Sequence, residues 1–462
     1  MALEESNYLR NVRAQYEDYP YPYRDPECEK GVLISSHGDS LDCINHFCFG
    51  GKRDFTKGIR VLVAGGGTGD GTIHLAEQLR DTPSEIVYLD MSSASMAVAK
   101  ERAKIRQLTN ITWVHESILD ISEARLGLFD YISCTGVLHH LDQPSAGLEA
   151  LKSVLAPDGS MLIMLYARYG RTAVYQLQDL LRMVNKGFSE IPDKIQNTKT
   201  ILKNTPVTNW SRFKYAMNIQ SELKTDVGIY DLLLHTQDRS YTVLELYEFV
   251  ENSGLHVNKL FNHDHPLGDM LFEPKTFIRD PELLKVLEAY PEREQAAISE
   301  LLFGQLAKQI CYISHQDKHP PSRKNLDLIP SISTTSARNY HLLKAAFSAS
   351  SKQVKLNELV SVSKSQITET LFSKIDGKNS IQRIVDETLD AHKNLNVTFD
   401  AVLAEFGRLY DVMVKISSIY LRAENIPGYA SIEIMEGRMH KIHGEKQCLA
   451  ARQKFFDSLT SS

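Results

Sequence analysis

The chain has 462 residues, 42% of them hydrophobic, and a formal net charge of -6. That length predicts two or three domains, and the acidic balance argues against binding nucleic acid through bulk positive charge. No stretch approaches the ~20 apolar residues of a membrane span, the N-terminus lacks the regions of a signal peptide, and the six cysteines are scattered, so a cytoplasmic chain with reduced thiols is expected.

Residues 1–58 read as an N-terminal strap and lid. The run Tyr16-Glu17-Asp18-Tyr19-Pro20-Tyr21-Pro22-Tyr23-Arg24-Asp25-Pro26 carries prolines that exclude a helix or central strand and leave an extended segment. Its tyrosines either pack over the domain or face a ligand. Cys43, His46 and Cys48 lie close in sequence, but no second ligand pair accompanies them, so no metal site is expected.

From 59 to 168 strands and helices alternate. Val61–Ala64 is a short apolar strand, followed at once by Gly65-Gly66-Gly67-Thr68-Gly69 and by a helix over Ile73–Arg80. Such a turn lets backbone N–H groups meet a ligand closely. Glu85–Leu89 is the second strand and ends at Asp90, about 20 residues beyond the glycines, where a carboxylate can accept both ribose hydroxyls of an adenosine ligand. Capping the next helix, about 93 to 107, is the alternative role. Ile111–His115, Phe129–Cys134 and Ser160–Tyr166 are further strands. Apolar strands separated by helices predict an α/β fold, a parallel sheet covered on both faces that binds ligands beyond its carboxyl ends.

The remainder divides by composition. Residues 169–235 predict a helical insertion, 236–268 the completion of the sheet with Leu255–Phe261, and 269–338 a helical middle region and linker that includes the apolar run Ile310-Cys311-Tyr312-Ile313. Residues 339–422 predict a small, mostly helical C-terminal domain, with a winged-helix form among its alternatives. The tail, 423–462, shows no clear pattern and is expected to be partly unstructured. His263 and His265 flank Asp264, but alternating loop residues are a poor metal signature.

Three motifs together resemble the class I S-adenosylmethionine (AdoMet) methyltransferases: Val61–Gly69, Asp90 within Tyr88-Leu89-Asp90-Met91-Ser92, and Phe129-Asp130-Tyr131-Ile132-Ser133-Cys134-Thr135-Gly136-Val137-Leu138-His139-His140-Leu141. The last is the decisive one, since a nicotinamide-binding domain has no reason to carry that turn. Val63 stands where the family often has an acidic residue, and Glu116-Ser117-Ile118 where many members have an aspartate beside the adenine. The resemblance implies a Rossmann-like methyltransferase sheet and AdoMet held by Gly65, Gly66, Gly67, Thr68, Gly69, Asp90, Met91, Ser117, Ile118, Thr135 and Gly136. The Tyr-Pro strap and Asp231-Leu232-Leu233-Leu234-His235-Thr236-Gln237-Asp238-Arg239 are similar to a bacterial methyltransferase subgroup, and the layout is similar to bacterial protein-lysine methyltransferases.

Methyl transfer from a sulfonium needs in-line positioning more than acid–base work, so no obligatory catalytic residue can be named. The candidates are His139, His140, Tyr21 and Tyr166 for catalysis, and Tyr16, Tyr19, Arg168, His235 and Arg239 for substrate, with Arg171 also placed near the entrance. An AdoMet-dependent methyltransferase acting on a protein lysine is the expected function. The alternatives are a small-molecule methyltransferase and a non-catalytic partner protein of this fold. A protein or small-molecule methyl acceptor is expected as partner, without nucleic acid, and a homodimer is allowed for.

Overall fold

The computed structural model describes residues 7–212, 222–235, 237–335 and 337–460. Residues 213–221 of the helical insertion, Thr236 of the late motif, the first six residues and the last two of the tail lie outside them.

The prolines act later than expected. Helix α1 (Asn7–Asp18) carries Tyr16 in its last turn and stops just before Pro20, because the residue ahead of a proline is disfavoured in helix. Within the proline run, the crossing from Tyr19 to Asp25 lacks regular structure. Helix α2 (Leu41–Cys48) follows and is buried at every position. The strap is thus helix, crossing and helix instead of one extended ribbon.

Strand β1 (Arg60–Ala64), helix α3 (Asp70–Gln78), β2 (Glu85–Asp90), α4 (Ser93–Ile105), β3 (Ile111–His115), β4 (Phe129–Thr135), α5 (Pro144–Ser153) and β5 (Leu155–Ala167) alternate as the sequence predicts. β1 runs parallel to β2 and β4, with Val61 opposite Ile86 and Tyr131. Side chains alternate across a strand. Val61 and Val63 therefore pack with Ile44, Phe47, Leu75 and Leu79 on one face, while Leu62 and Ala64 pack with Leu148 and Leu151 on the other. Burial on both faces is why these strands read as unbroken apolar runs.

Helices α6 (Thr172–Val184), α7 (Ile191–Asn204) and α8 (Asp226–Leu233) form the insertion, around Val174, Leu177, Leu181, Leu232 and Leu233. The two-residue strand β6 (Ser240–Tyr241) pairs with the end of β5. Helix α9 (Val243–Glu251) starts with a capping box made by Thr242 and Glu245, and β7 (His256–Phe261) follows.

Residues 236–268 do not complete the sheet alone. After α10 (Pro281–Glu288) and α11 (Glu292–Phe303), strand β8 (Lys308–Ser314) enters between β5 and β7, antiparallel to both. The order is β3-β2-β1-β4-β5-β8-β7. This corrects the reading of 269–338 as helical region and linker. Ile310–Ile313 is too short for a buried helix but fits a strand covered on both faces.

The next region is mostly helical, as expected, with two small sheets added. β9 (Ile329–Ile332), which the sequence reading leaves in the linker, is followed by α12 (Ala337–Ser348), β10 (Gln353–Lys355), β11 (Ser361–Ser363), α13 (Thr368–Ser373), α14 (Ile381–Ala391), α15 (Phe399–Lys415) and β12 (Ile419–Arg422). β10 and β11 form a hairpin, and β12 pairs antiparallel with β9. The tail is helical too: α16 (Ile432–His443) and α17 (Glu445–Thr460). Ile432 and Met435 pack against Leu33, Ile73 and Ala103, and Arg438 pairs with Glu77 and Asp81. Its pattern is faint because α16 buries just three apolar side chains, Ile432, Met435 and Met439, among charged ones. Among the described residues no helix is long and apolar enough to cross a membrane.

Candidate active site

A cavity of 660 Å3 lies beyond the carboxyl ends of β1, β2, β4 and β5, where an open α/β sheet binds its ligands. The glycine turn forms its floor. Gly65 and Gly66 donate their N–H groups to Leu89 O at 2.8 and 3.1 Å, which fastens the turn to β2. A Cβ on Gly65 (φ +71°) would lie 2.4 Å from Val137, and one on Gly66 would lie 2.3 Å from the Tyr88 ring. The turn is therefore bare backbone by necessity. Gly69 takes φ +102° as the N-cap of α3.

Asp90 closes this end. Its carboxylate accepts from Gly67 N at 2.7 Å and from Ser92 N at 2.8 Å. Burial pushes its carboxyl above the ordinary range. Each oxygen keeps acceptor capacity, and Asp90 lines the cavity with Met91, Glu116, Ser117 and Ile118. The helix N-cap is Ser92, not Asp90. Thr135 and Gly136 line the opposite wall. A bare glycine floor, a ribose-sized carboxylate and a flanking Ser117–Ile118 wall fit the adenosine and methionine parts of AdoMet.

The strap crosses above. Thr68 Oγ1 donates to Pro22 O at 2.7 Å, and Ser92 Oγ donates to Tyr16 O at 3.0 Å. Glu17 accepts from Ser93 N at 2.5 Å and Ala94 N at 3.1 Å, at the start of α4. Burial of Glu17 opposes its ionisation, but these bonds outweigh it and hold the carboxyl below its usual value. Arg24 reaches Asp70, a cavity residue, with a bidentate pair at 3.0 and 2.7 Å.

The far end holds Tyr16, Tyr21, His140, Tyr166, Arg171 and Asp231. Hydrogen bonds fix the tautomers here. His140 Nδ1 lies 3.0 Å from Gln237 O, an acceptor only, so Nδ1 carries the proton and Nε2 keeps its lone pair. His235 Nδ1 accepts from Gln237 N at 3.1 Å, so its proton is on Nε2, which points to Tyr16 Oη at 3.4 Å. Tyr16 in turn donates to Asp231 Oδ1 at 3.2 Å. The chain His235, Tyr16, Asp231 is directional and ends on a buried carboxylate. Burial pushes His140 down to about 4, so the ring is neutral near pH 7. Arg171 stacks on Tyr166, 3.5 Å from its centroid, and pairs with Asp238 at 3.3 Å.

Several expected residues stand elsewhere. Thr68 and Gly69 do not line the cavity; one holds the strap and the other starts α3. Tyr19 packs on Tyr230, 5.2 Å between centroids. His139 is buried behind Tyr166 at 3.9 Å, and His235 stacks behind His140 at 3.9 Å. Arg168 is exposed and pairs with Glu245. Arg239 is exposed, and its backbone N–H donates to His139 O. The sequence reading missed Asp231 as a site residue, although the late motif contains it. It also missed Asn262, Phe303 and Gln305–Lys308, which reach the cavity because β8 belongs to the sheet. Cys43, His46 and Cys48 lie within the buried helix α2. Among the described residues no cluster of ligands is arranged for a metal ion.

Residues 62–161 match the family described as a methyltransferase domain. An uncharacterized protein from Synechococcus is 32% identical over 276 residues, which is 58% of this chain and 64% of that protein, so the match spans a little under two thirds of the relative's length. A ubiquinone biosynthesis O-methyltransferase from Acinetobacter baylyi is 23% identical over 133 residues, covering 28% of this chain and 54% of that one. The structure of PKMT2 from Rickettsia typhi in complex with AdoHcy superposes with a TM-score of 0.57, covering 88% of this chain and 76% of that chain at 18% identity, a likeness of fold. Residues 62–161 thus match a methyltransferase domain, and the strand order, the glycine floor and Asp90 give it the fold of the class I S-adenosylmethionine-dependent methyltransferases.

Proposed function

We propose that this protein transfers the methyl group of AdoMet to the side-chain amine of a protein lysine. The observation that carries the reading is Asp231: a buried carboxylate, held by Tyr16 and facing the cavity beside Tyr166, suits an arriving ammonium group. Gly65–Gly67, Asp90, Met91, Ser117, Ile118, Thr135 and Gly136 would hold AdoMet. Bound AdoMet supplies a methyl carbon already activated by its sulfonium. The chain's task is then to align the amine and shed its proton. Asp231 orients the ammonium, and the tyrosine rings of Tyr16, Tyr21 and Tyr166 exclude water. Burial holds His140 near 4, too weak a base for an ammonium, so its Nε2 serves as a neutral acceptor lining the site and the proton leaves to solvent as the amine enters.

Reduced cysteines support a cytoplasmic setting. A second reading, a small-molecule acceptor, draws on the strap fastened over the cavity. Incubation with labelled AdoMet and a lysate, followed by separation into protein and small-molecule fractions, distinguishes the two. Label in protein hydrolysates as methyl-lysine, reduced at least tenfold in Asp231→Asn while calorimetric AdoMet binding is retained, is the expected result. Label confined to small molecules supports the second reading, and absence of AdoMet binding removes both.

A further inference from the structure

A second concavity, of 1040 Å3, opens where β12, the loop after it, α16 and the strap residue Gly31 meet. Arg422 lines it and is only 6% exposed. Its guanidinium donates to carbonyl oxygens: Nη1 to Ile426 O and, at 3.3 Å, Ala423 O, and Nη2 to Gly377 O at 2.6 Å. Its Nε–H is buried with no partner among the described residues. Carbonyls satisfy hydrogens but do not neutralise charge. The other arginines buried as deeply among the described residues are treated differently: Arg102 and Arg106 both face Glu29, and Arg171 faces Asp238. A buried guanidinium without a carboxylate is costly unless something else supplies the negative charge. The titratable neighbour that acts on Arg422 is the Tyr429 phenol, which burial keeps neutral.

The same concavity receives the start of α16. Ser431 is its N-cap, accepting from Ile434 N at 3.5 Å, and lines the groove, and the first turn carries the positive end of the helix dipole. Gly428 precedes the cap by three residues, and a Cβ there would lie 4.0 Å from Arg422 Nη2, so the guanidinium lies beside the loop that leads into α16, and both line the same concavity. The exposed Lys378 adds a third positive group. The groove's carboxylates do not reach Arg422. Asp376 accepts from the Lys378 and Asn379 backbone, Glu436 accepts from Leu33 N and faces Arg452 at 3.9 Å, and Glu433 is exposed.

We propose that this groove is a second ligand site, which binds a small molecule through an oxyanion group, phosphate or carboxylate, seated between Arg422 and the N-terminus of α16. Because Gly31, β12 and α16 each supply a wall, an occupant would tie the strap to the C-terminal region away from the AdoMet cavity. The test is a thermal-shift titration of the full chain with inorganic phosphate and, separately, acetate, against chloride at equal ionic strength, with phosphorus NMR line broadening as a second readout. A saturable rise in Tm with at least one oxyanion and none with chloride is expected. The rise should be lost in Arg422→Gln and weakened roughly tenfold in Lys378→Glu, while calorimetric AdoMet affinity is unchanged in both. No response beyond chloride in the native chain, or an equal response in both variants, overturns the proposal. Should Arg422→Gln fail to fold, Lys378→Glu, an exposed substitution, decides by itself.

Discussion

Asp90 shows what a single residue contributes here. It anchors Gly67 and Ser92 and still offers acceptors to the cavity. Asp90→Asn keeps the shape but loses the charge, and hydrogen bonds to charged groups are worth ~1.5–3 kcal/mol. AdoMet affinity measured by calorimetry is therefore expected to fall roughly 10- to 100-fold. At this scale the sequence was informative where backbone chemistry decides the outcome. Gly65–Gly67 and Asp90 are tied to a strand–turn–helix whose geometry admits few arrangements. It was less informative where side-chain direction decides. Arg168 and Arg171 sit three residues apart around one tight turn, yet Arg168 points to Glu245 outside and Arg171 lies on Tyr166 inside. His139 and His140 are neighbours, and the cavity takes only His140. Asp231 was legible as part of a motif but not as a site, because its partner Tyr16 is 215 residues away.

At the scale of elements, the strap is held by charge as well as by backbone. Glu29, in the short helical turn Pro26–Lys30, accepts from Arg102 at 2.6 and 2.8 Å and also bonds Arg106. All three side chains are at most 3% exposed. Removing one partner of such a cluster strands buried charge, a loss of ~3–5 kcal/mol. Glu29→Gln is expected to lower stability by that order in urea denaturation, with the strap released first under limited proteolysis. None of this was readable from the chain alone, since Glu29 lies 73 residues from Arg102 and nothing sets it apart from Asp25 and Glu27 beside it. β8 was misplaced for a related reason. Its four apolar residues have no periodicity, and only neighbours from β5 and β7 turn them into a strand. The parallel strands β1 to β5 escaped this ambiguity because each is followed by its own helix or turn.

At the scale of the whole molecule, six histidines among the described residues are buried: His37, His46, His74, His139, His140 and His235. Burial holds all of them below the ordinary imidazole value, His46 and His74 near 3 and His140 near 4. In the unfolded chain each protonates near ~6.5. Between those limits the unfolded state binds more protons, so stability rises with pH and is lost as pH falls below ~6.5. Each histidine contributes about 1.4 kcal/mol per pH unit while this difference lasts. The urea midpoint is expected to fall steeply from pH 6.5 to 5, and a flat profile would refute the neutral, buried assignment. The position of β8 has a further consequence, for synthesis. Until the ribosome has made Lys308–Ser314, β5 and β7 have no strand between them, and the nascent chain carries two open hydrogen-bonding edges. The methyltransferase sheet is thus finished late, after the insertion and α10–α11 have been translated. A fragment ending at residue 268 contains the whole matched domain, yet it is expected to sediment as aggregate, which fractionation of the expressed fragment would reveal.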